Sequence, residues 1–454
     1  MSKIVPNQNE SPFGFHEFFF STTNARGVIR YGNDVFVRVS DYPKDQILGA
    51  PHSIVRHPDM PRSVFKVFWD TLKSGNAIGA YVKNLSANGS YYWVFAFAFP
   101  IEDGYLSIRF KPSSEIFKAV QSIYKEVRSF EAENNDLGAS ERLLIEKIQS
   151  QGFKDYEDFM VKAVIAELNS RTVRAADLES KTFDQENEHG RAIAEYSKKT
   201  LATLTEMFVG TKSFQNTNKI ITETVESLGQ GFRNLKLISL NMTVAAAKFG
   251  DIAAGLGVVS QEFSTLSTEI ETQLKNLDSF AEQLSKTIQQ CTFRISALNS
   301  QMLMVDFFVK EALQKMNSSD DAFTEMNENK KDFSTLFREY ATKMGEEVSS
   351  LMSDASGIEK NVEEVRRLVT GLEVIRQIGG IESARVDEIK RVFNHYLDEM
   401  NNFVALLRKS TANVSTEVRD LRSRCSFIVD QSGKIAGDVQ KIFDLAATVN
   451  RHKN

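Results

Sequence analysis

Hydrophobic and polar positions follow two different rules along this chain. Up to about residue 112 the apolar residues come in short alternating or continuous runs closed by turn residues: Phe18 to Thr22, Val28 to Tyr31, Tyr81 to Leu85, Tyr91 to Phe99 and Leu106 to Phe110. Runs of that length and composition predict five strands. Asn24-Ala25-Arg26-Gly27 predicts a hairpin turn between the first two, and Asn88-Gly89 and Asp103-Gly104 predict turns between the last three. Asn33 to Val39 and Ser63 to Leu72 carry helical spacing. The expectation is an α+β domain whose sheet curls around one side of a pocket.

Beyond residue 112 the period changes. Ile270, Leu274, Leu277, Ala281, Leu284, Ile288, Cys291, Ile295, Leu298, Met302, Val305 and Val309 alternate spacings of four and three, and Ile221, Val225, Leu228, Phe232 and Leu235 do the same upstream. A stripe of that spacing keeps one narrow apolar face toward partner helices. The two stripes converge on Asn241 to Gly257, where Gly250, Gly255 and Gly257 permit a tight reversal. A long all-α region follows, with a coiled-coil helical hairpin that forms a four-helix bundle if hairpins pair between subunits. At about 1.5 Å per residue, 113–250 spans roughly 200 Å and 251–454 roughly 300 Å, so the C-terminal excess folds back. Ile378-Gly379-Gly380-Ile381 is the expected break.

Proline placement agrees with this partition. All eight prolines lie between Pro6 and Pro112, and proline breaks helix interiors. The resulting boundaries are 1–14 as an N-terminal cap or flexible segment, 15–112 as a compact domain and 113–200 as a helical connector. The hairpin takes 201–310, with its tip near 241–257, and 311–454 forms C-terminal helices packing back on the bundle. Acidic pairs such as Glu346-Glu347 and Glu363-Glu364 read as solvated helix faces.

Charge and cysteine content narrow the partners. A net charge of −5, from 55 basic and 60 acidic residues without a long basic run, disfavours nucleic acid. Cys291 and Cys425 supply neither a disulfide framework nor a metal knuckle, and Cys291 falls in the apolar stripe as a small buried knob. With no signal-like apolar segment at Met1 to Ser11 and no run of 18 apolar residues, the expectation is a cytoplasmic protein without a transmembrane segment.

The densest polar constellation is His52, Arg56, His57 and Asp59 in a loop stiffened by Pro51, Pro58 and Pro61. Stiffening lowers the entropy lost on gripping a ligand. Arg56 offers a planar fork to a phosphate or imide edge, and His57 a donor. Equally, Asp59 caps the following helix and the histidines are structural. No nucleophilic triad or hydrolase motif is present, so an enzyme is not expected.

Several stretches together resemble the sensory PAS domain of bacterial aerotaxis receptors over about residues 15–111. They are Asn24 to Ile29, Tyr31 to Ser40, Val55 to Pro61, Phe68 to Lys73, Val82-Lys83-Asn84 and Tyr91 to Val94. The resemblance implies a noncovalent FAD that senses oxygen or redox state, with Asn33, Arg56, His57, Asp59, Phe65, Asn84 and Trp93 lining or shaping its pocket. Related domains hold haem b instead, which would make His52 or His57 an axial ligand, and others hold nothing. One departure is Gly75-Asn76-Ala77-Ile78-Gly79, where the family usually has a tryptophan.

Residues Leu240 to Phe263 look like a weakened copy of the hairpin tip of methyl-accepting chemotaxis proteins, with Asn241, Gly250, Gly255, Val258, Val259 and Glu262 in matching register. That resemblance implies partner contacts at Asn241, Lys248 and Glu262 with a chemotaxis kinase or coupling protein, or another cytoplasmic protein, and a homodimer or higher-order bundle. The family's tip glutamate and arginine fall on Ala245 and Ala254, which puts ordinary kinase coupling in question. The function expected is a PAS-containing redox or oxygen sensor and chemoreceptor-like transducer. The alternative is a structural or localisation scaffold whose PAS domain binds proteins and whose state no cofactor changes.

Overall fold

The computed structural model describes residues 4–175, 188–316 and 321–448. Parts of the expected N-terminal cap, connector and C-terminal helices (1–3, 176–187, 317–320 and 449–454) lie outside the described residues. The chain divides into two compact units: 1–206 with 292–343 and 433–454, and 207–291 with 344–432.

The first unit contains the five expected strands. β1 (Phe18–Asn24), β2 (Ile29–Gly32), β3 (Ile78–Leu85), β4 (Tyr91–Ile101) and β5 (Gly104–Phe110) form one antiparallel sheet in the order β2-β1-β5-β4-β3. Helices α1 (Asp34–Ser40), α2 (Lys44–Ile47) and α3 (Arg62–Lys73) fill the crossover from β2 to β3. Strand alternation gives the sheet two buried faces. Ser21, Thr23, Ala96, Ala98, Ser107 and Arg109 occupy one, while Phe18, Phe20, Phe97, Phe99, Ile108 and Phe110 occupy the other.

The aromatic face is covered by helices from far along the chain. Phe20 meets Phe308 and Phe333, Phe97 meets Phe293, and Phe99 meets Tyr340, at ring separations of 5.3–6.2 Å. Near β3, α4 (Glu115–Glu133) and α6 (Tyr156–Ala175) cover the same face, and α5 (Leu137–Ser150) packs on α3 and α4. The expected connector is therefore part of the sensor's packing.

The second unit is built from segments of four long helices, α7 (Glu188–Phe249), α8 (Ala254–Met316), α9 (Asp321–Ser383) and α10 (Asp387–Thr448), of 62, 63, 63 and 62 residues. Side-chain bonds give their neighbours: Asn218 to Ser285 joins α7 and α8, Thr287 to Asp354 joins α8 and α9, Arg408 to Glu373 joins α9 and α10, and Thr217 to Glu417 joins α7 and α10. This is a closed antiparallel bundle within one chain. The hairpin α9–α10 fills the place that a second subunit's hairpin was expected to take.

Every stripe position named above from Ile221 to Leu235 and from Ile270 to Val309 is buried, including Cys291. The first reversal falls where expected: α7 ends at Phe249, Gly250 takes φ +60°, and a single 3-10 turn leads into α8. The second does not. Helix runs through Gly379 and Gly380 and turns after Ser383. Gly379 serves close approach instead, since a Cβ there would sit 3.1 Å from Leu397 and 3.2 Å from Val259. Ala245 is buried among the bundle helices, where a glutamate would bring an unpaired charge into the core.

One helical stretch, 188–314, contains an 18-residue window of mean hydropathy 1.4, long and apolar enough by length and composition to cross a membrane. Core helices of soluble bundles satisfy the same measure.

Candidate functional site

The small and polar face of the sheet forms the floor of a cavity of about 330 Å³. Across from it stand Phe65, Phe68, Trp69 and Leu72 of α3 with Pro51, His52, Ser53 and Arg56 of the loop before it. Sequence explains the space: Ala96 and Ala98 are the smallest residues of an aromatic-rich strand, and both point to the floor. Trp69 packs edge-on against Tyr105 at 5.4 Å, so an aromatic wall exists although the family's other tryptophan is replaced. Ile78, which lies in that departing stretch, is buried against Leu72, Ala98 and Met160.

Three of the seven expected pocket residues line this cavity: Arg56, Phe65 and Asn84. Arg56 lies over the Phe65 ring at 4.3 Å, and its backbone bridges to Asn84 of β3, which ties the loop to the sheet. The other four are corrections. Trp93 is on the opposite face, 5.3 Å from Phe117 and 6.3 Å from Tyr124, because strand alternation turns it toward α4. Asp59 is exposed and paired with Lys83 at 2.6 Å. His57 is buried behind the loop, with Nδ1 accepting from Asp59 N–H at 3.1 Å. Burial and then Lys83 push its pKa down to about 4 against the opposing pull of Asp59, so it is neutral at ordinary pH.

Asn33 has a structural place. It is the N-cap of α1, accepting from Phe36 N–H at 3.3 Å and from Phe20 N–H at 3.1 Å. Its amide donates to Phe18 carbonyl at 2.9 Å and to Glu311 of α8 at 3.3 Å, and Asp34 N–H donates to the same carboxylate at 2.9 Å. Nor does Asp59 cap α3. The cap is Glu131 of α4, which accepts from the N–H groups of Arg62 (2.8 Å) and Ser63 (3.0 Å).

The cavity's strongest polar groups were not anticipated from the sequence. Arg109 of β5 is buried and donates to Ser21 Oγ from both terminal nitrogens at 3.1 Å and to His52 Nε2 at 2.6 Å. Burial and then Arg109 hold the His52 pKa well below the ordinary histidine value, consistent with a neutral ring accepting that bond. Phe36 of α1 stacks on His52 at 5.8 Å and lies under the guanidinium at 5.5 Å. Thr23 Oγ1 and Ser107 Oγ are buried without a hydrogen-bond partner. The available signal was the alternation of polar Ser107 and Arg109 with apolar Ile108 and Phe110 on one strand, a pattern that ordinarily marks a solvent face.

Of the two histidines considered as haem ligands, His57 lies outside the cavity lining and His52 has Nε2 committed to Arg109. Among the described residues no group of three or more His, Cys, Asp and Glu is placed to hold a metal ion. The residues do fit a flavin ring: an aromatic wall to pack a planar system, a floor cleared by alanines, and unpartnered hydroxyls with a guanidinium for its polar edge. About 330 Å³ is at the small end of ligand sites, which run about 300–1,000 Å³, so the rest of an FAD would lie outside it.

At the bundle end, Asn241, Lys248 and Glu262 are all exposed, as partner contacts require. Around them Leu237, Leu240, Val244, Ile252 and Val258 are exposed as well.

Comparison with known proteins agrees with the first domain. Residues 29–107 match the family model described as PAS fold. The aerotaxis receptor of Escherichia coli (strain K12) is 41% identical over 123 residues, which cover 26% of this chain and 24% of the receptor. The chain thus spans about a quarter of the length of that relative. Among solved structures, a light-oxygen-voltage domain studied with a flavin analogue is 21% identical, covering 23% of this chain and 83% of that chain at a TM-score of 0.21. The light-state structure of the blue-light photoreceptor Aureochrome1 LOV is 23% identical, covering 23% and 86% at a TM-score of 0.20.

Proposed function

We propose that this protein is a cytoplasmic redox or oxygen sensor whose PAS cavity holds a flavin, with FAD the expected form, and whose helices carry the signal to a partner protein. The observation that carries this reading is the cavity itself. It joins an alanine-cleared floor to an aromatic wall, in a domain 41% identical to part of an aerotaxis receptor. A bound flavin supplies reversible electron uptake. Trp69, Phe68 and Phe65 would pack its ring, Asn84, Thr23 and Ser107 would meet its polar edge, and exposed Arg26 with half-buried Arg56 would face its phosphates.

Transmission is supported by strand alternation. The strands that floor the cavity turn Phe20, Phe97 and Phe99 to α8 and α9, so a shift of floor residues is felt at those rings. A second contact runs from His52 through Phe36 to the start of α1 and Glu311. Only a difference in free energy between oxidised and reduced states moves the helices, because a cofactor held equally well by both packings shifts nothing. For the output, exposed apolar residues near Gly250 beside Lys248 support the hairpin tip as a protein contact, of which a chemotaxis kinase or coupling protein is one candidate. The closed bundle means that the tip can be built without a second subunit.

Absorption spectroscopy of protein purified after flavin-replete expression tests the reading. Flavin bands that bleach on reduction are expected. Protein that carries no flavin and takes up none when FAD is added would overturn it.

A further inference from the structure

Arg109 stands out among the cavity residues because its charge is buried without a counter-ion. Its neighbours are a serine hydroxyl, a histidine nitrogen and the Phe36 face, and among the described residues no Asp or Glu pairs with it. Keeping a guanidinium out of water is costly unless an acidic or electron-rich group faces it. Here burial lowers its pKa to about 10. A guanidinium has five N–H donors, more than its three contacts here require. Beside it, on the same strand face, Ser107 Oγ lacks a partner, and Thr23 Oγ1 lacks one on neighbouring β1. All three line the cavity.

We propose that Arg109 is the specificity-determining contact of this cavity, meeting the carbonyl-bearing or anionic edge of a planar heteroaromatic ligand, with Thr23 and Ser107 completing the recognition of that edge. This rests on the reading that the cavity holds such a cofactor. Two consequences follow from the chemistry. Ligand contact at Arg109 is charge-assisted and so contributes more affinity than a neutral bond. The residue also costs the empty protein stability, since an apolar replacement of similar length removes a desolvated charge.

The test uses the full chain stripped of cofactor and titrated with FAD, with Arg109→Met, Arg109→Lys and a Thr23→Val/Ser107→Ala double variant. Binding is read from quenching of flavin fluorescence, and folding from circular dichroism and thermal melting. The methionine variant is expected to bind FAD about ten- to a hundredfold more weakly, with lysine intermediate. Its empty form is expected to melt no lower than the parent, an outcome that a purely structural arginine would not give. The double variant is expected to lose several-fold in affinity and to shift the bands of the flavin that it does bind. Methionine and lysine variants that bind FAD within twofold of the parent would overturn the proposal while leaving the flavin reading intact. A parent that binds no FAD would instead overturn the reading beneath it. If the methionine variant fails to fold, the lysine variant alone decides, because it keeps the charge and loses the planar fork.

Discussion

Replacing Glu311 by alanine tests whether sensor and helix are joined through the start of α1. Two contacts are lost, from Asp34 N–H at 2.9 Å and from the Asn33 amide at 3.3 Å. A hydrogen bond to a charged group contributes roughly 1.5–3 kcal/mol when well buried, and a carboxylate at a helix N-terminus about 0.3–1 kcal/mol when exposed. The Asp34 contact is exposed and the Asn33 contact part-buried, so the lower ends apply and the pair contributes about 1–2 kcal/mol to holding α1. Helix α1 has seven residues, and Asn33 remains as its local cap. The loss therefore falls on local opening rather than on the whole fold.

Native-state hydrogen exchange reads that opening directly. Amides at the start of α1 in Glu311→Ala are expected to exchange about 5–30-fold faster than in the parent. Glu311→Gln, which keeps an acceptor and loses the charge, should lie between. Amides of β3 provide the internal reference and should be unchanged. If α1 exchanges within twofold of the parent in the alanine variant, Glu311 does not clasp the sensor and the route from His52 through Phe36 to α8 is refuted.

Three further outcomes are expected. The folded pKa of His57, about 4, lies below the ordinary 6.5, so the fold favours the neutral ring. Its contribution to stability is complete above pH 6.5 and is lost as pH falls through 4, an acid-side slope that His57→Gln should flatten in urea denaturation across that window. Deleting residues 321–454 bares the stripe on α7 and α8, and light scattering should then show pairing between chains, whereas the intact 51.2 kDa chain should run as one copy. A fragment ending at Pro112 should lack the cooperative melt of the full chain, because Phe20, Phe97 and Phe99 lose their cover; a melt equal to that of the full chain would count against the contacts described.

Strands, hairpin turns and stripes were legible because each is written in local spacing. The five strand runs and every stripe position from Ile221 to Val309 named at the outset hold in the structure. What spacing does not encode is which face of a two-sided buried strand receives a ligand. Trp93 and Arg109 show this in opposite directions: an aromatic expected in the cavity faces α4, and a charge expected at solvent lies in the cavity floor. Likewise Gly379 and Gly380 read as a break, while the structure uses Gly379 for helix contact. The loop around His57 was conspicuous for its polar density, yet His57 Nδ1 and Asp59 face each other at 3.4 Å and Asp59 is further held by Lys83.

Helix starts explain why the Pro112 boundary is a boundary of pattern and not of folding. Local sequence supplies weak caps at α3 and α4: Pro61 has no side-chain acceptor, and Ser114 does not use its hydroxyl as one. Distant carboxylates take over. Glu131 of α4 accepts from the first amides of α3, and Glu167 of α6 accepts from the amides of Ser113 (2.7 Å) and Ser114 (3.1 Å) and from the Tyr81 hydroxyl (2.9 Å). Glu311 of α8 does the same for α1. For Glu131, burial raises the pKa but the amides of Arg62 and Ser63 and the Ser140 hydroxyl outweigh it and hold the carboxyl below its usual range, so the cap is ionised and strongest above pH 4.5. Each of these helix ends is completed only when a later helix has docked. The sensor's helices therefore register the position of α4, α6 and α8 through their first turns, and a sensor so built has its output helices among the residues that fold it.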